Sequence, residues 1–478
     1  MNHTIELLIC AAVGIGLAGC ASSPLNDSWV LRRPLGESYE TYQPPRALDQ
    51  ANSQPPGHPV DELTGDLSLR DALAAALLGN PDLSRFGYDV RAAEARTVQA
   101  GLWSNPELSL EIENFAGSGA FDGVDAAEIT LSLSQSFPLG GDIKRRKDLA
   151  RLQGRLAGWD YESARVALLT EVTQRYMDVL AAQRQVELAR ESLALAEQVA
   201  ESIGHRIDAG DAPAVERSRA TVPVATARIA LRRAERSLES ARVQLSLTWG
   251  SSSPAFKTVM GDLDSVEAPP PVTAFAALIS QNPDVARWVT EIASRQAEME
   301  LARAEAVPDM TAGLGYRWFN ETDDSALVAG VSIPLPVFDR RQGDVLAARF
   351  GVASARNQQR AVELRIEAAI ASAYARLANA YDEVVGLRDD ALPPATQAYH
   401  DIRQAFERGN LGYLDVLDAE RTLIGLRQQY LDALAKYHGS VAELEGLIGQ
   451  PLDAVNTTTP VMPSIDSTQN SSKDNDHE

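Results

Sequence analysis

Asp415 and Asp418 are the two side chains in this chain best spaced to act together. On a helix, a spacing of three puts both carboxylates on one face. They follow a glycine-containing turn at 409–412, so they fall in the first turns of a new helix, where the macrodipole stabilises negative charge. Spacing alone fits a capped, solvated acidic face equally well. Other chemistry is scarce. The two cysteines, Cys10 and Cys20, lie within the first 20 residues, which excludes a disulfide framework and a cysteine metal site. The six histidines show no HxxxH or HExxH spacing, so no zinc centre is expected. No nucleotide loop and no acid, base and nucleophile set converge in the sequence, so neither an enzyme nor a cofactor is expected.

The elements that must position the pair are written twice. Asn80, Pro81 and Asp82 recur as Asn282, Pro283 and Asp284, and Pro106 recurs as Pro308 at the same offset of 202. Gly210 recurs as Gly409 at an offset of 199. A period of about 200 exceeds the 20–50 residues of a solenoid and reads as a duplicated unit. Each copy runs helix, two short strands, very long helix, glycine turn, long helix.

The strands carry a period of two. Leu108, Leu110 and Ile112 alternate with Glu107, Ser109, Glu111 and Glu113, and Ile129, Leu131 and Leu133 alternate with Thr130, Ser132 and Ser134. In the second copy Met310, Ala312, Leu314, Tyr316 and Trp318 form one face, and Leu327, Ala329, Val331 and Ile333 another. A length of about 9–11 residues suits a tilted bilayer crossing, and the alternation suits a barrel wall with lipid outside and water inside. Phe115, Phe137, Trp318 and Phe338 lie near strand ends, where an aromatic girdle would sit. Two soluble hairpins with one packed face remain the alternative.

The long helices are predicted over about 142–207 and 342–406, each a rod of roughly 100 Å at 1.5 Å per residue. Leu149, Leu152, Leu156 and Trp159, then Val172, Tyr176 and Leu180, step along the first. Val362, Ile366, Ile370, Tyr374 and Leu377 step along the second, which Pro393 and Pro394 must kink or break. Coiled-coil-like packing gives such rods lateral partners. Return helices are predicted over about 212–249 and 413–448.

The net charge of −22 argues against nucleic acid and anionic surfaces and fits an acidic conduit that tolerates cations. Beyond the N-terminus no apolar run reaches 18 residues, so any membrane crossing must use strands. Residues 7–17 form an apolar stretch of signal-peptide length ending in Leu17, Ala18, Gly19 and Cys20. That ending resembles the bacterial lipobox, which implies removal of 1–19 and acylation of Cys20, with Ala21 and Ser22 directing the product to the outer membrane.

Expected boundaries are an extended strap at 20–62, a first repeat at 63–250 with strands about 106–137 and a tip near 210, and a linker at 251–270. A second repeat follows at 271–450, with strands about 308–335 and a tip near 409, and then a disordered tail at 451–478. Four strands per chain cannot close around anything in lipid. Their edges need other copies in a cyclic assembly; two copies give eight strands, and three give twelve and a lumen.

The order of lipobox, helix, strand pair and long hairpin, repeated, resembles the TolC-type outer-membrane efflux proteins over about 62–450. The segments QAGLWSNPELSLEIEN at 99–114, LSLSQ at 131–135 and PLGG at 138–141 resemble the CzcC-like branch, which serves heavy-metal efflux. The resemblance implies a mostly α fold with a membrane β-barrel: a homotrimer with a 12-strand barrel and a periplasmic α-helical tunnel. It implies an exit duct that works with a periplasmic adaptor and an inner-membrane pump of the resistance-nodulation-division class. The turn RGNLGYLDVLDA at 408–419 is similar to the family's tip motif. By that similarity Gly210, Gly409 and Leu411 would dock the adaptor. Asp415 and Asp418 would ring the closed end of the tunnel, six carboxylates in a trimer. In the first copy Glu216 and Arg219 stand at the equivalent positions. Export of protein by a type I system and a non-conducting lipoprotein scaffold are the other functional readings.

Overall fold

The structure, a computed structural model, describes residues 63–452 and 455. The lipobox and Cys20, the strap and most of the tail lie outside the described residues.

The first copy opens with strand β1 (Gly65–Leu67), helix α1 (Leu69–Gly79) and helix α2 (Pro81–Ala100). Strands β2 (Glu107–Glu113) and β3 (Glu128–Phe137) follow, then α3 (Asp142–Asp208) and α4 (Val215–Leu247). The second copy has β4 (Phe256–Val259), a 3₁₀ segment (Val272–Gln281), α5 (Pro283–Ala304), β5 (Met310–Phe319) and β6 (Asp324–Ser332). It ends with α6 (Gln342–Val385), a π turn (Gly386–Ala391), α7 (Leu392–Glu407) and α8 (Tyr413–Ile448).

The repeated Asn-Pro pair is a junction. Asn80 caps α2 by accepting from the Leu83 N–H at 2.8 Å, with Pro81 inside the first turn, where its missing N–H costs nothing. Its amide also donates to the Thr248 carbonyl at 2.9 Å, tying the start of the unit to the end of its return helix. Asn282 repeats both contacts, with the Asp284 N–H at 2.8 Å and the Leu447 carbonyl at 2.9 Å.

Three points differ from the sequence expectation. In α1, where the sequence predicts a face of Leu73, Leu77 and Leu78, the alanines Ala72, Ala75 and Ala76 are buried instead, while Leu73 and Leu77 pack on the core only in part. The equivalent stretch of the second copy is a 3₁₀ segment rather than an α-helix. The expected linker at 251–270 is a packed belt. Its strand β4 pairs in parallel with β1, and Asp264 accepts from Tyr430 at 2.9 Å. The Glu267 carbonyl accepts from Tyr437 at 2.8 Å, and Tyr176 donates to the Leu67 carbonyl at 2.7 Å. Pro393 and Pro394 interrupt the rod, as the sequence leads one to expect: α6 and α7 are separate helices. The preceding turn widens to π geometry, and α7 carries on from it, a usual response to a lost i→i−4 bond.

The main core lies level with this belt. Val172, Tyr176 and Leu180 of α3 meet Ile370 and Leu377 of α6 and Leu434 and Tyr437 of α8. Those of α3 and α6 are stripe positions read from the sequence; Leu434 and Tyr437 are not. Leu149, Leu152 and Leu156, nearer the sheet, are only half-buried. Pro223 sits inside α4 without ending it.

Candidate pore wall and aperture

β2, β3, β5 and β6 form one antiparallel sheet in that order, so β2 and β6 are open edges. The register places the apolar positions of all four strands side by side. Leu110 faces Leu131, Leu131 faces Tyr316, and Tyr316 faces Leu327. Leu108, Leu133 and Leu314 line up in the next row. These side chains are exposed: Leu108 is 69% accessible, Leu314 73% and Leu327 88%. A soluble hairpin would bury one such face. This sheet displays a continuous apolar wall, far beyond the scattered apolar exposure normal for a soluble surface.

The other face is polar. Ser109 and Ser132 share a hydrogen bond at 2.6 Å. Arg317 ties three strands together through Glu113 at 3.0 Å on β2, Glu128 at 2.9 Å on β3 and the Thr130 hydroxyl at 2.9 Å. Arg317 is the sole base in the two strand pairs and their loops, 104–137 and 308–335, beside ten acids. Small residues follow from the close approach of β3. A Cβ on Gly315 would lie 3.0 Å from that of Ser132. The sequence reading missed Arg317, because a single base in an alternating strand leaves no pattern.

At the opposite end of the rods, the two hairpin turns have one backbone design. Gly210 has φ of +86° and Gly409 has +80°. The Asp211 N–H donates to the Arg206 carbonyl at 2.8 Å, and the Gly210 N–H to Ile207 at 3.0 Å. Asn410 and Gly409 make the same pair of bonds to Ala405 and Phe406, both at 2.9 Å. This is the Schellman C-cap, which calls for a left-handed residue at the glycine position. Leu411 lies at the second turn, 37% accessible, with Leu414 beside it at 61%.

Asp415 and Asp418 are both exposed on α8. Asp415 also caps its own helix, accepting from the Gly412 N–H at 2.9 Å. The capping role and the exposed-face role therefore coexist. In the first copy Arg219 is exposed and Glu216 half-buried, while Arg217 pairs across the turn with Asp208 at 2.7 Å. Behind the carboxylates, Val199 and Ile203 of α3 pack with Tyr399, Phe406, Tyr413 and Val416, and Arg206 lies 4.8 Å over the Phe406 ring. Glu420 is buried in the same region, 5% accessible. Burial there pushes its carboxyl up from the usual carboxylate range, against the pull of Arg421 and Arg403. The sequence gives no sign of this, since Glu420 beside Arg421 reads as a solvated surface pair.

Among the described residues no group of carboxylates, histidines or cysteines could hold a metal ion, and no helix is long and apolar enough to cross a membrane.

This architecture has known counterparts. The cobalt-zinc-cadmium resistance protein CzcC of Cupriavidus metallidurans is 30% identical over 419 residues, covering 87% of this chain and 99% of that one. The cation efflux system protein CusC of Escherichia coli K12 is 26% identical over 453 residues, covering 89% and 95%. A crystal structure of CusC superposes with a TM-score of 0.69 at 20% identity, over 80% of this chain and 92% of that one. A membrane protein from Pseudomonas aeruginosa gives the same TM-score at 22% identity, over 82% and 92%. The profile described as outer membrane efflux protein matches residues 72–251 and 276–450, one match on each copy, and the chain belongs to that family.

Proposed function

We propose that three copies of this chain form the outer-membrane exit duct of a tripartite efflux system. Their sheets join into a 12-strand barrel, and their paired rods continue it as an α-helical tunnel into the periplasm. The observation that carries this reading is the open sheet. Its apolar face is exposed over all four strands, and both edges, β2 and β6, are unpaired within the chain. In lipid each unpaired backbone group costs several kcal/mol, so the edges must close on other copies. Strands of 7–10 residues are near the length for a tilted crossing.

Acylation of Cys20 would anchor each chain in the outer membrane. At the far end the turns at Gly210, Gly409 and Leu411 would meet a periplasmic adaptor. The ring of Asp415 and Asp418 would narrow the tunnel and attract cations, as carboxylate rings do. The duct is passive, and its energy would come from a resistance-nodulation-division pump in the inner membrane. Heavy-metal cations are the cargo this reading favours. The matched relatives are named for cobalt, zinc and cadmium resistance and for cation efflux, and the strands and loops of the wall carry ten acids to one base.

Deleting the gene from a strain that relies on it tests the cargo. Tolerance to zinc, cobalt, cadmium or copper should fall, with tolerance to antibiotics unchanged. Unchanged tolerance to every compound would contradict an efflux role.

A further inference from the structure

Directly below the sheet, the chain changes sign. The overall charge is −22, yet residues 142–151 hold Lys144, Arg145, Arg146, Lys147 and Arg151 against Asp142 and Asp148. Arg145 is spent on Glu300 at 3.1 Å, and Arg146 on Asp142. Lys144, Lys147 and Arg151 instead line an open cavity of about 470 Å³, together with Trp103 and the carboxylates of Asp142 and Asp148. Arg151 is paired with Asp148 at 3.2 Å, and neither lysine has an ion-pair partner among the described residues. The Lys147 stem lies against Gly101, where a Cβ would meet its Cδ at 3.1 Å.

The cavity adjoins the apolar side of the wall through Trp103. Phe137 ends β3 on the same face as Ile129, Leu131 and Leu133, and the register holds to the last pair, Phe137 with Met310. Trp103 packs edge-on against Phe137, with ring centroids 6.1 Å apart. An exposed tryptophan at the rim of an apolar wall marks the level where acyl chains end and headgroups begin. α3 starts five residues past Phe137, so its first two turns sit at headgroup depth. Lysines there can lay their stems along apolar surface and present their charge to the interface.

We propose that this cavity binds the phosphate-bearing headgroup of an anionic phospholipid in the periplasm-facing leaflet, with Trp103 against the glycerol and upper acyl region. The inference rests on the reading of the sheet as an outer-membrane barrel wall. A bound lipid would add to the packing of α2 and Gly101 in holding the start of α3 at a fixed depth below the sheet. A zwitterionic lipid offers no net negative charge to the two unpaired lysines and would be a poorer occupant.

The test is native mass spectrometry of the purified full-length protein with phosphatidylglycerol or phosphatidylethanolamine, alongside trimer mass and single-channel conductance of the same sample. The wild-type protein should retain phosphatidylglycerol preferentially. Lys144→Gln, Lys147→Gln and Arg151→Gln should each lower that retention about fivefold, and the triple variant about a hundredfold, by the usual strength of one basic residue near an anionic surface. Lys144→Arg with Lys147→Arg should keep it. Lys144 is exposed, so its single variant remains informative if the triple variant fails to fold. Equal retention of the two lipids, or a triple variant that keeps the preference, overturns the proposal. So does displacement of phosphatidylglycerol by millimolar inorganic phosphate, which would mark a site for a free anion. A conducting trimer indifferent to phosphatidylglycerol sinks this inference alone; a sample that neither trimerises nor conducts sinks the barrel reading as well.

Discussion

The two hairpin tips share a backbone and differ in charge. Both end their long helix in the same pair of capping bonds around a left-handed glycine, Gly210 or Gly409. Six and nine residues on from the glycine, the second tip carries Asp415 and Asp418, whereas the first carries Glu216 and Arg219. The same contrast runs through the rest of the duplication. Asn80 and Asn282 make equivalent bonds, yet α1 has a 3₁₀ segment as its counterpart. Positions that solve a backbone problem admit few residue types, so they stay alike. Positions that only face solvent are free to diverge, and function can be placed on one copy alone.

The largest expected effect concerns the wall, where the two copies should behave alike. Leu110→Arg in the first copy and Leu327→Arg in the second each place a charge on the exposed apolar face, which the proposed barrel turns to lipid. Each should cost about 2–4 kcal/mol of membrane stability and sharply lower the yield of assembled protein in outer-membrane fractions. Normal yield from either variant would break the equivalence of the two strand pairs.

Next come the turns. Valine at Gly210 or Gly409 forces a β-branched residue into a left-handed conformation, at roughly 1–2 kcal/mol. Thermal unfolding should report the loss for both variants, and adaptor binding should weaken. An effect confined to one tip would show that only that tip is under strain.

The charges should separate the tips. Asp415→Ala combined with Asp418→Ala should relieve block of the channel by divalent cations, measured in planar bilayers, whereas Glu216→Ala should leave it unchanged. Removing Asp415 also removes a helix cap worth about 1 kcal/mol, so Asp418→Ala alone, which leaves the cap in place, gives the cleaner reading. Equal relief from the Glu216 variant would erase the distinction.

The smallest effect is a pH dependence in the second tip. Glu420 has a folded pKa raised by burial, so the folded state holds its proton more tightly than the unfolded chain does. Its charged form is a cost near neutral pH, relieved as pH falls through the raised value. Glu420→Gln should therefore melt slightly higher than the parent at pH 7.5, with the gap closing at pH 5. A gap independent of pH would mean that Glu420 carries no such penalty.

Much of this was legible in the sequence, for reasons specific to the residues. Strands with one apolar and one polar face must alternate, so β2, β3, β5 and β6 stand out. The Schellman turns announce themselves through glycine, and the unit boundaries through Asn-Pro. The belt at 251–270 was not legible. Its strand β4 is four residues long and pairs with β1 some 190 residues earlier, so no local pattern marks it. The π turn was half legible: two prolines demand a local rearrangement without specifying which. Glu420 was hidden because burial is a tertiary property, and its sequence neighbours are those of an exposed helix.

The account turns on whether chains pool their strands. The direct measurement is the mass of the detergent-extracted protein by light scattering, with a density map of the same particles. The prediction is three chains around one continuous 12-strand barrel, with β2 of each paired to β6 of the next. A monodisperse monomer, or an assembly whose four-stranded sheets stay separate, would contradict it.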